Sequence, residues 1–320
     1  MERAVTHPSS TRAVGIPEFG GPEVLRIIER PMPEPGAGEI RIKVAAAAVN
    51  PTDTVLRAGL HANRLGSLRP PYVPGMELAG TVDAVGDAGW QVGERVMAIV
   101  APLTERGGAQ AEFVVVPGAS VARVPDGTGL AEAATLPMNG LTVRRTLDVL
   151  ALEPGETLAI TGAAGAVGGY AIQLARTEGL RVIADAKPAD DELVRELGAD
   201  VVVPRGPEVA TDIRRNAPDG VAAVLDAALI GRPLLPAIRD GGQLAAVRPF
   251  DGESERRITV TLIQVVDYVR AGDKLARLAD LVAEGKLTLR VADTLPAEQA
   301  AEAHRRLEAG GTRGRLVLTF

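Results

Sequence analysis

Thr161-Gly162-Ala163-Ala164-Gly165-Ala166-Val167-Gly168 follows the apolar run Leu158-Ala159-Ile160 and opens at once into Tyr170-Ala171-Ile172-Gln173-Leu174-Ala175, which has a helical pattern. A strand that ends in closely spaced glycines and turns directly into a helix exposes the helix's first backbone N–H groups. The helix dipole adds positive potential at the same point, so a pyrophosphate fits there. Gly162 permits the tight turn, Gly165 leaves no Cβ to obstruct a phosphate, and Gly168 lets the helix lie close to the strand. Ala164, Ala166 and Val167 belong to the same cradle. Arg181-Val182-Ile183-Ala184-Asp185 reads as the next strand, with an acid at its tip near the offset of about 20 residues expected of a ribose ligand.

Outward from this loop the chain alternates strands and helices. Strands are expected over 158–160, 182–184, 201–203, 221–225 and 243–247, and helices over 168–178, 190–197 and 273–284. Buried apolar strands alternating with helices imply a doubly wound parallel sheet of the α/β class. Residues 12 to about 125 have a different texture, with short alternating strands such as 39–44 bounded by Gly and Pro. After residue 286 that texture returns as a strand at 287–289, a helix at 296–308 and a final strand at 315–320. These are too few elements for a domain, so they complete the first one. The expected division is a tail at 1–11, a β-rich domain at 12–130 with 287–320, and a nucleotide-binding domain at 131–286.

At 320 residues, two domains are the default expectation. A net charge of −6 argues against a nucleic-acid or anionic-membrane partner. No apolar run approaches the roughly 18 residues of a membrane helix, and the start lacks a signal-peptide segment, so a cytoplasmic protein is expected. The absence of cysteine excludes disulfides, thiolate chemistry and zinc sites built on Cys.

Several strings together resemble the medium-chain dehydrogenase/reductase superfamily: Val-Asn-Pro-Thr-Asp at 49–53, Val-Pro-Gly-Met-Glu-Leu-Ala-Gly at 73–80, Ala-Thr-Leu-Pro-Met-Asn-Gly-Leu-Thr at 134–142, the glycine loop, Leu-Gly-Ala-Asp at 197–200 and Gly-Arg-Leu-Val-Leu-Thr-Phe at 314–320. Within it the chain looks like the zinc-free quinone oxidoreductase (zeta-crystallin-like) branch. The resemblance implies a Rossmann-type domain inserted into a GroES-like domain. Where zinc-dependent relatives hold catalytic zinc with Cys, His and Cys, this chain places Asn50, Met76 and Met138. A carboxamide and two thioethers offer neither an anionic ligand nor an imidazole, so no zinc is expected. Without that Lewis acid the implied reaction is hydride delivery from NAD(P)H to a conjugated acceptor: a quinone, an enone or enal, or an enoyl thioester.

The resemblance also implies roles for single residues. Asn50 and Thr142 match positions near the nicotinamide ring, and Arg315 matches an arginine that pairs with cofactor phosphate. His61, after Ala58-Gly59-Leu60, stands where many reductases of the branch carry a proton-donating Tyr, and an imidazole is a competent acid near neutral pH. The branch mostly uses NADPH, and Lys187, just past Ala186, and Arg205 place two cations near the adenosine ribose. Asp185 would repel a 2′-phosphate and leaves NADH open. The apolar segment 257–263 reads as an edge strand through which the nucleotide-binding domains of a homodimer would join. The alternative reading is a nucleotide-binding protein without turnover, crystallin-like or redox-sensing.

Overall fold

The computed structural model describes residues 9–60 and 62–320. They form two compact units: one takes the described residues up to Met138 with Val269–Ala283 and Leu289–Phe320, the other Asn139–Tyr268 with Glu284–Thr288.

In chain order the first unit contributes β1 (Ser10–Gly15), β2 (Arg26–Pro31), β3 (Glu39–Ala48), α1 (Pro51–Arg57), β4 (Glu77–Gly86), β5 (Arg95–Ile99), β6 (Phe113–Pro117), β7 (Val121–Arg123) and α2 (Leu130–Ala133). The helix α3 (Pro137–Leu150) starts in the first unit and continues into the second. There follow β8 (Thr157–Thr161), α4 (Ala166–Thr177), β9 (Arg181–Ala186), α5 (Asp191–Glu196), β10 (Val201–Pro204), α6 (Val209–Asn216), β11 (Val221–Asp226), β12 (Ile238–Ala246) and β13 (Thr259–Leu262). Then α7 (Gly272–Ala283), β14 (Val291–Pro296), α8 (Ala300–Ala309) and β15 (Arg315–Thr319) return to the first unit.

The first unit's large sheet has the order β14-β15-β3-β4-β5-β7, with β6 also on β3, while β1 and β2 pair separately. The C-terminal strands thus complete the N-terminal domain: β15 runs antiparallel to β3, pairing Val317 with Ala48, and β14 runs parallel to β15. In β3, Ile40, Ile42 and Val44 point into one core as the alternation requires. Arg41, on the other face, is also buried, held by Asp83 at 2.6 Å and Glu34 at 2.9 Å. A second core gathers Val14, Val49, Leu56, Leu295 and Leu318.

The second unit is a six-stranded sheet in the order β10-β9-β8-β11-β12-β13, all neighbours parallel. Numbered from β8, that is 3-2-1-4-5-6, the order of a doubly wound dinucleotide-binding sheet. Its central strands are covered on both faces, which is why β8 and β11 read as unbroken apolar runs.

Three details depart from the expected layout. The last segment's strand is β14 at Val291–Pro296, not 287–289, because Leu287 is buried and the Thr288 N–H donates to Gln173 Oε1 (2.9 Å) within the second unit. The helix α7, expected in the nucleotide-binding domain, belongs to the first unit: it packs on β7, and Gly272 lies so close that a Cβ would stand 2.7 Å from the Val121 carbonyl oxygen. Residues 10 and 11, expected in the tail, begin β1. None of the described helices is long and apolar enough to cross a membrane.

Candidate functional site

The strand order of the second unit reverses at β8, which has β9 on one side and β11 on the other. Ligands of open α/β sheets bind at such a switch point, outside the carboxyl ends of the strands. The glycine loop leaves β8 there. Gly162 has φ +70°, in the left-handed region, and a Cβ on it would stand 3.0 Å from the Ala227 carbonyl carbon. The Gly165 N–H closes the turn on the Gly162 carbonyl at 2.9 Å, and Gly165 is the N-cap of α4. On Gly165 a Cβ would meet only the Gly162 oxygen, at 3.1 Å, whereas on Gly168 it would stand 2.3 Å from that same oxygen. Gly168 is therefore required by the fold, while Gly165 leaves its surroundings open for another reason.

The rim of this site is fixed by two buried acids at the ends of β9 and β11, the strands that flank β8. Asp226, ending β11, accepts from Thr161 Oγ1 (2.7 Å), the Ile230 N–H (3.1 Å) and the Gly231 N–H (2.7 Å). Asp185, near the end of β9, accepts the Ala163 N–H through Oδ1 (3.2 Å), so it braces the glycine loop. Its Oδ2 is buried without a hydrogen-bond partner, and Arg205 Nε stands 3.8 Å away. Burial raises the Asp185 carboxyl above its ordinary range, against the loop N–H groups and Arg205. The Arg205 N–H donates to the Ala186 carbonyl (2.8 Å), and exposed Lys187 caps a short turn at Pro188–Asp190. Open space beside Gly165, an α-helix N-terminus and an orphaned buried acceptor at the strand tip fit a dinucleotide's pyrophosphate and ribose.

In the first unit a buried polar cluster assembles from distant segments. Asn50 is the N-cap of α1, with Pro51 at the first helical position and Asp53 completing a capping box. Asp53 Oδ2 accepts the Asn50 N–H (2.8 Å) and Gln110 Nε2 (3.2 Å), and its Oδ1 accepts the N–H of Gly75 (3.0 Å). Burial pushes the Asp53 carboxyl up to about 7, despite these donors and the nearby Arg315 charge. Glu77, fully buried, accepts Asn50 Nδ2 at 2.9 Å and the Met138 N–H at 2.8 Å. Of the three positions expected to lack metal ligands, Asn50 and Met138 are thus joined through this one carboxylate, and Met76 is the residue before it in the chain. Arg315 Nη2 lies 3.8 Å from Glu77 Oε1 and donates to the Val49 carbonyl, while its Nε has no partner. Among the described residues no three His, Asp or Glu side chains cluster as a metal site would require.

Of the remaining expected site residues, Thr142 is buried on α3, and His61 lies outside the described residues. Glu77 and Asp226 were not singled out in the sequence. Each is an acid inside or at the end of an apolar strand, and that is the signal that marks them. His304 is a core residue, its Nδ1 3.1 Å from Arg57 Nη1, and burial lowers its imidazole to about 3.

A doubly wound dinucleotide-binding unit joined in sequence to a β-rich unit defines a nicotinamide-dependent dehydrogenase or reductase as a class. The comparisons narrow it. Residues 36–126 match the family described as alcohol dehydrogenase GroES-like domain, and residues 197–318 the family described as zinc-binding dehydrogenase. The chain belongs to the medium-chain dehydrogenase/reductase superfamily, in its quinone oxidoreductase branch. It is 34% identical to the human synaptic vesicle membrane protein VAT-1 homolog-like over 219 residues, 67% of this chain and 50% of that protein, so the match spans about half of that relative's length. It is 28% identical to a probable quinone oxidoreductase of Schizosaccharomyces pombe, covering 97% of each. The solved structure of a mycobacterial protein complexed with NADPH superposes with a TM-score of 0.84 at 32% identity, covering 97% of this chain and all of the other.

Proposed function

We propose that this protein is an NAD(P)H-dependent reductase that delivers hydride to a conjugated acceptor, a quinone, an enone or enal, or an enoyl thioester, without a catalytic zinc. The observation that carries the reading is the glycine cradle at the sheet's switch point, open at Gly165 and rimmed by Asp185. When bound, the nicotinamide supplies the hydride, and a conjugated acceptor spreads the resulting charge onto its oxygen. The chain's own residues do the rest. The first turn of α4 offers N–H donors to the pyrophosphate, Gly165 keeps the approach clear, and the Thr161–Asp226 pair holds the neighbouring loop in place. Asn50 has its amide oriented by Glu77 and its backbone by Asp53, which suits it to present a fixed polar group to cofactor or acceptor.

Metal independence rests on donor chemistry. Two acids stand beside this set: Glu77 is already committed to Asn50, Met138 and Arg315, and Asp53 to Asn50, Gly75 and Gln110. The edge strand β13, whose outer side has no strand partner among the described residues, supports a homodimer joined through the nucleotide-binding units. A monomeric mass in light scattering at micromolar concentration overturns that part. The central experiment is NAD(P)H consumption with a panel of quinones, enones and enoyl thioesters. Turnover of at least one class is expected. Dinucleotide binding with no turnover of any class replaces the reductase reading with that of a nucleotide-binding protein.

A further inference from the structure

Resting on the reductase reading above, we propose that a cavity of the first unit is a phosphate subsite, and that it selects, among conjugated acceptors, enoyl thioesters carried on a phosphopantetheine arm. The cavity encloses about 290 Å³, and its lining includes Arg30, Ser67, Arg69, Tyr72, Thr104 and Glu105. That volume takes a charged headgroup and a short length of chain, not a whole substrate. Two of the lining side chains carry a guanidinium, whose planar fork matches a phosphate bidentately, and three carry a hydroxyl.

Arg30 is built into the wall. It is half-buried on β2, and its Nη1 and Nη2 donate to the carbonyls of Arg106 (2.8 Å) and Glu105 (2.9 Å). Gly107 makes the room for it: its φ of +74° is in the left-handed region, and a Cβ there would stand 2.8 Å from Arg30 Nη1. Neutral carbonyls fix the fork without neutralising it. Exposed Arg69 donates only to the Leu68 carbonyl (3.3 Å), and among the described residues no carboxylate, that of Glu105 included, pairs with either arginine. Burial without an anion lowers the pKa of Arg30 from its ordinary value, yet a guanidinium keeps its proton at neutral pH. A phosphate in the cavity supplies the missing counter-charge. Tyr72, stacked on Phe19 with ring centroids 5.6 Å apart, gives the arm a rigid apolar wall.

The chain ties this cavity to Asn50. Val73 also lines it, and four residues on, Glu77 accepts Asn50 Nδ2. Gly107 lines it too, and three residues on, Gln110 donates to Asp53. Four extended residues span at most about 14 Å, a distance that a pantetheine chain with its two amides bridges. A simple quinone or enone has neither that length nor a charge. The net charge of −6 repels anions in general, so a preference for a phosphate has to come from local cations such as these.

The test compares phosphopantetheine with pantetheine, which lacks only the phosphate, in calorimetric titrations of the purified full chain. Phosphopantetheine should bind at least about tenfold more tightly, the worth of one hydrogen bond between charged groups. Arg69→Gln, at an exposed position, should narrow that gap about threefold or more, and Arg30→Gln should close it. In turnover with NAD(P)H, enoyl thioesters of the two arms should differ by the same factor in KM and little in kcat, because the phosphate is remote from the reacting carbons. Thioesters on coenzyme A and on a carrier protein then distinguish the two sources of the arm, the lower KM marking the one used. Equal binding of the two arms, or a gap that survives in folded Arg69→Gln and Arg30→Gln proteins, overturns the subsite. Inorganic phosphate binding as tightly as phosphopantetheine overturns the arm. A gap in binding with no turnover of any acceptor overturns the reductase reading instead.

Discussion

Replacing Gly168 and Gly165 by alanine, one at a time, separates what the glycine loop does for the fold from what it does for a ligand. A Cβ on Gly168 would stand 2.3 Å from the Gly162 carbonyl oxygen, 2.7 Å from Ala163 Cα and 2.8 Å from the Gly162 carbonyl carbon. These are backbone atoms, and ordinary contact is about 3.5–4.0 Å, so α4 or the loop must retreat by on the order of 1 Å. Overpacking of this kind costs about 1–3 kcal/mol. Contacts as close as 2.3 Å put the strain at about 2–3 kcal/mol, and the helix gains back roughly 1 kcal/mol because alanine is the better helix former, so strain wins by about 1–2 kcal/mol. The melting temperature should fall by roughly 2–8 °C. Gly165 differs in both respects. Its φ of −74° suits any residue, and the single near atom is the Gly162 oxygen at 3.1 Å, so Gly165→Ala should change stability by less than about 1 kcal/mol. Its methyl group, however, occupies the phosphate's approach. Loss of one charge-assisted hydrogen bond is worth about 1.5–3 kcal/mol, a Kd raised roughly 10- to 100-fold, and Gly165→Asp should abolish binding altogether. Thermal melts and calorimetric titration read the two effects separately. Unchanged dinucleotide affinity in Gly165→Ala refutes the cradle, and a Gly168→Ala protein as stable as the parent refutes the packing argument.

Other consequences are equally open to measurement. The folded Asp53 carboxyl stands at about 7, above its ordinary value near 3.8, so between those values the native state keeps a proton that the unfolded chain has released. Stability should therefore fall as pH rises from about 4 to about 7, by up to about 1.4 kcal/mol per pH unit from this group. Asp53→Asn should flatten that slope in urea unfolding, and an unaltered slope would show that the group does not hold its proton. Chelators should leave activity unchanged, while stoichiometric zinc in metal analysis, with activity lost on its removal, sinks the zinc-free assignment. His61→Ala should slow an enone about 100-fold or more if the imidazole donates the proton, and should barely affect a quinone, whose reduced anion takes a proton from solvent. No loss on either substrate removes His61 as the proton donor.

The nucleotide-binding unit was legible because its signals are local. Parallel strands covered on both faces show as apolar runs, and Gly162, Gly165 and Gly168 sit together at the turn that needs them. The helix α6 was missed because eight residues with Val209, Ala210 and Ile213 buried leave only a brief period. The polar cluster of the first unit was legible only in part. Asn50, Pro51 and Asp53 form a capping signature that can be read from adjacent residues, but the partner of Asn50 is Glu77, 27 positions on. Arg315 reaches the Val49 carbonyl across 266 positions. No local pattern announces such pairs, and the arginine's expected phosphate role gave no hint of the buried acid beside it. Asp185 shows the same limit: its place at the strand tip was readable, whereas its inward bond to the glycine loop was not.

The charges of that cluster determine which of its acids ionises. Two carboxyls, Asp53 and Glu77, are buried near one guanidinium, Arg315. Glu77 has the guanidinium at 3.8 Å and two N–H donors, one on each oxygen, which is the arrangement a buried anion requires. Asp53 receives only neutral donors, from Asn50, Gly75 and Gln110. It also feels the repulsion of Glu77. Below about pH 7 the proton therefore stays on Asp53, whose carboxyl burial pushes up to about 7. A divalent cation placed among Asn50, Met76 and Met138 would find thioethers, an amide and a carboxylate that already has its cation. To recruit Glu77 it would have to displace Arg315 and leave that guanidinium buried and unpaired, at a cost of several kcal/mol. The pH slope assigned to Asp53 and the indifference to chelators are consequently two outcomes of one charge balance, both set by Arg315.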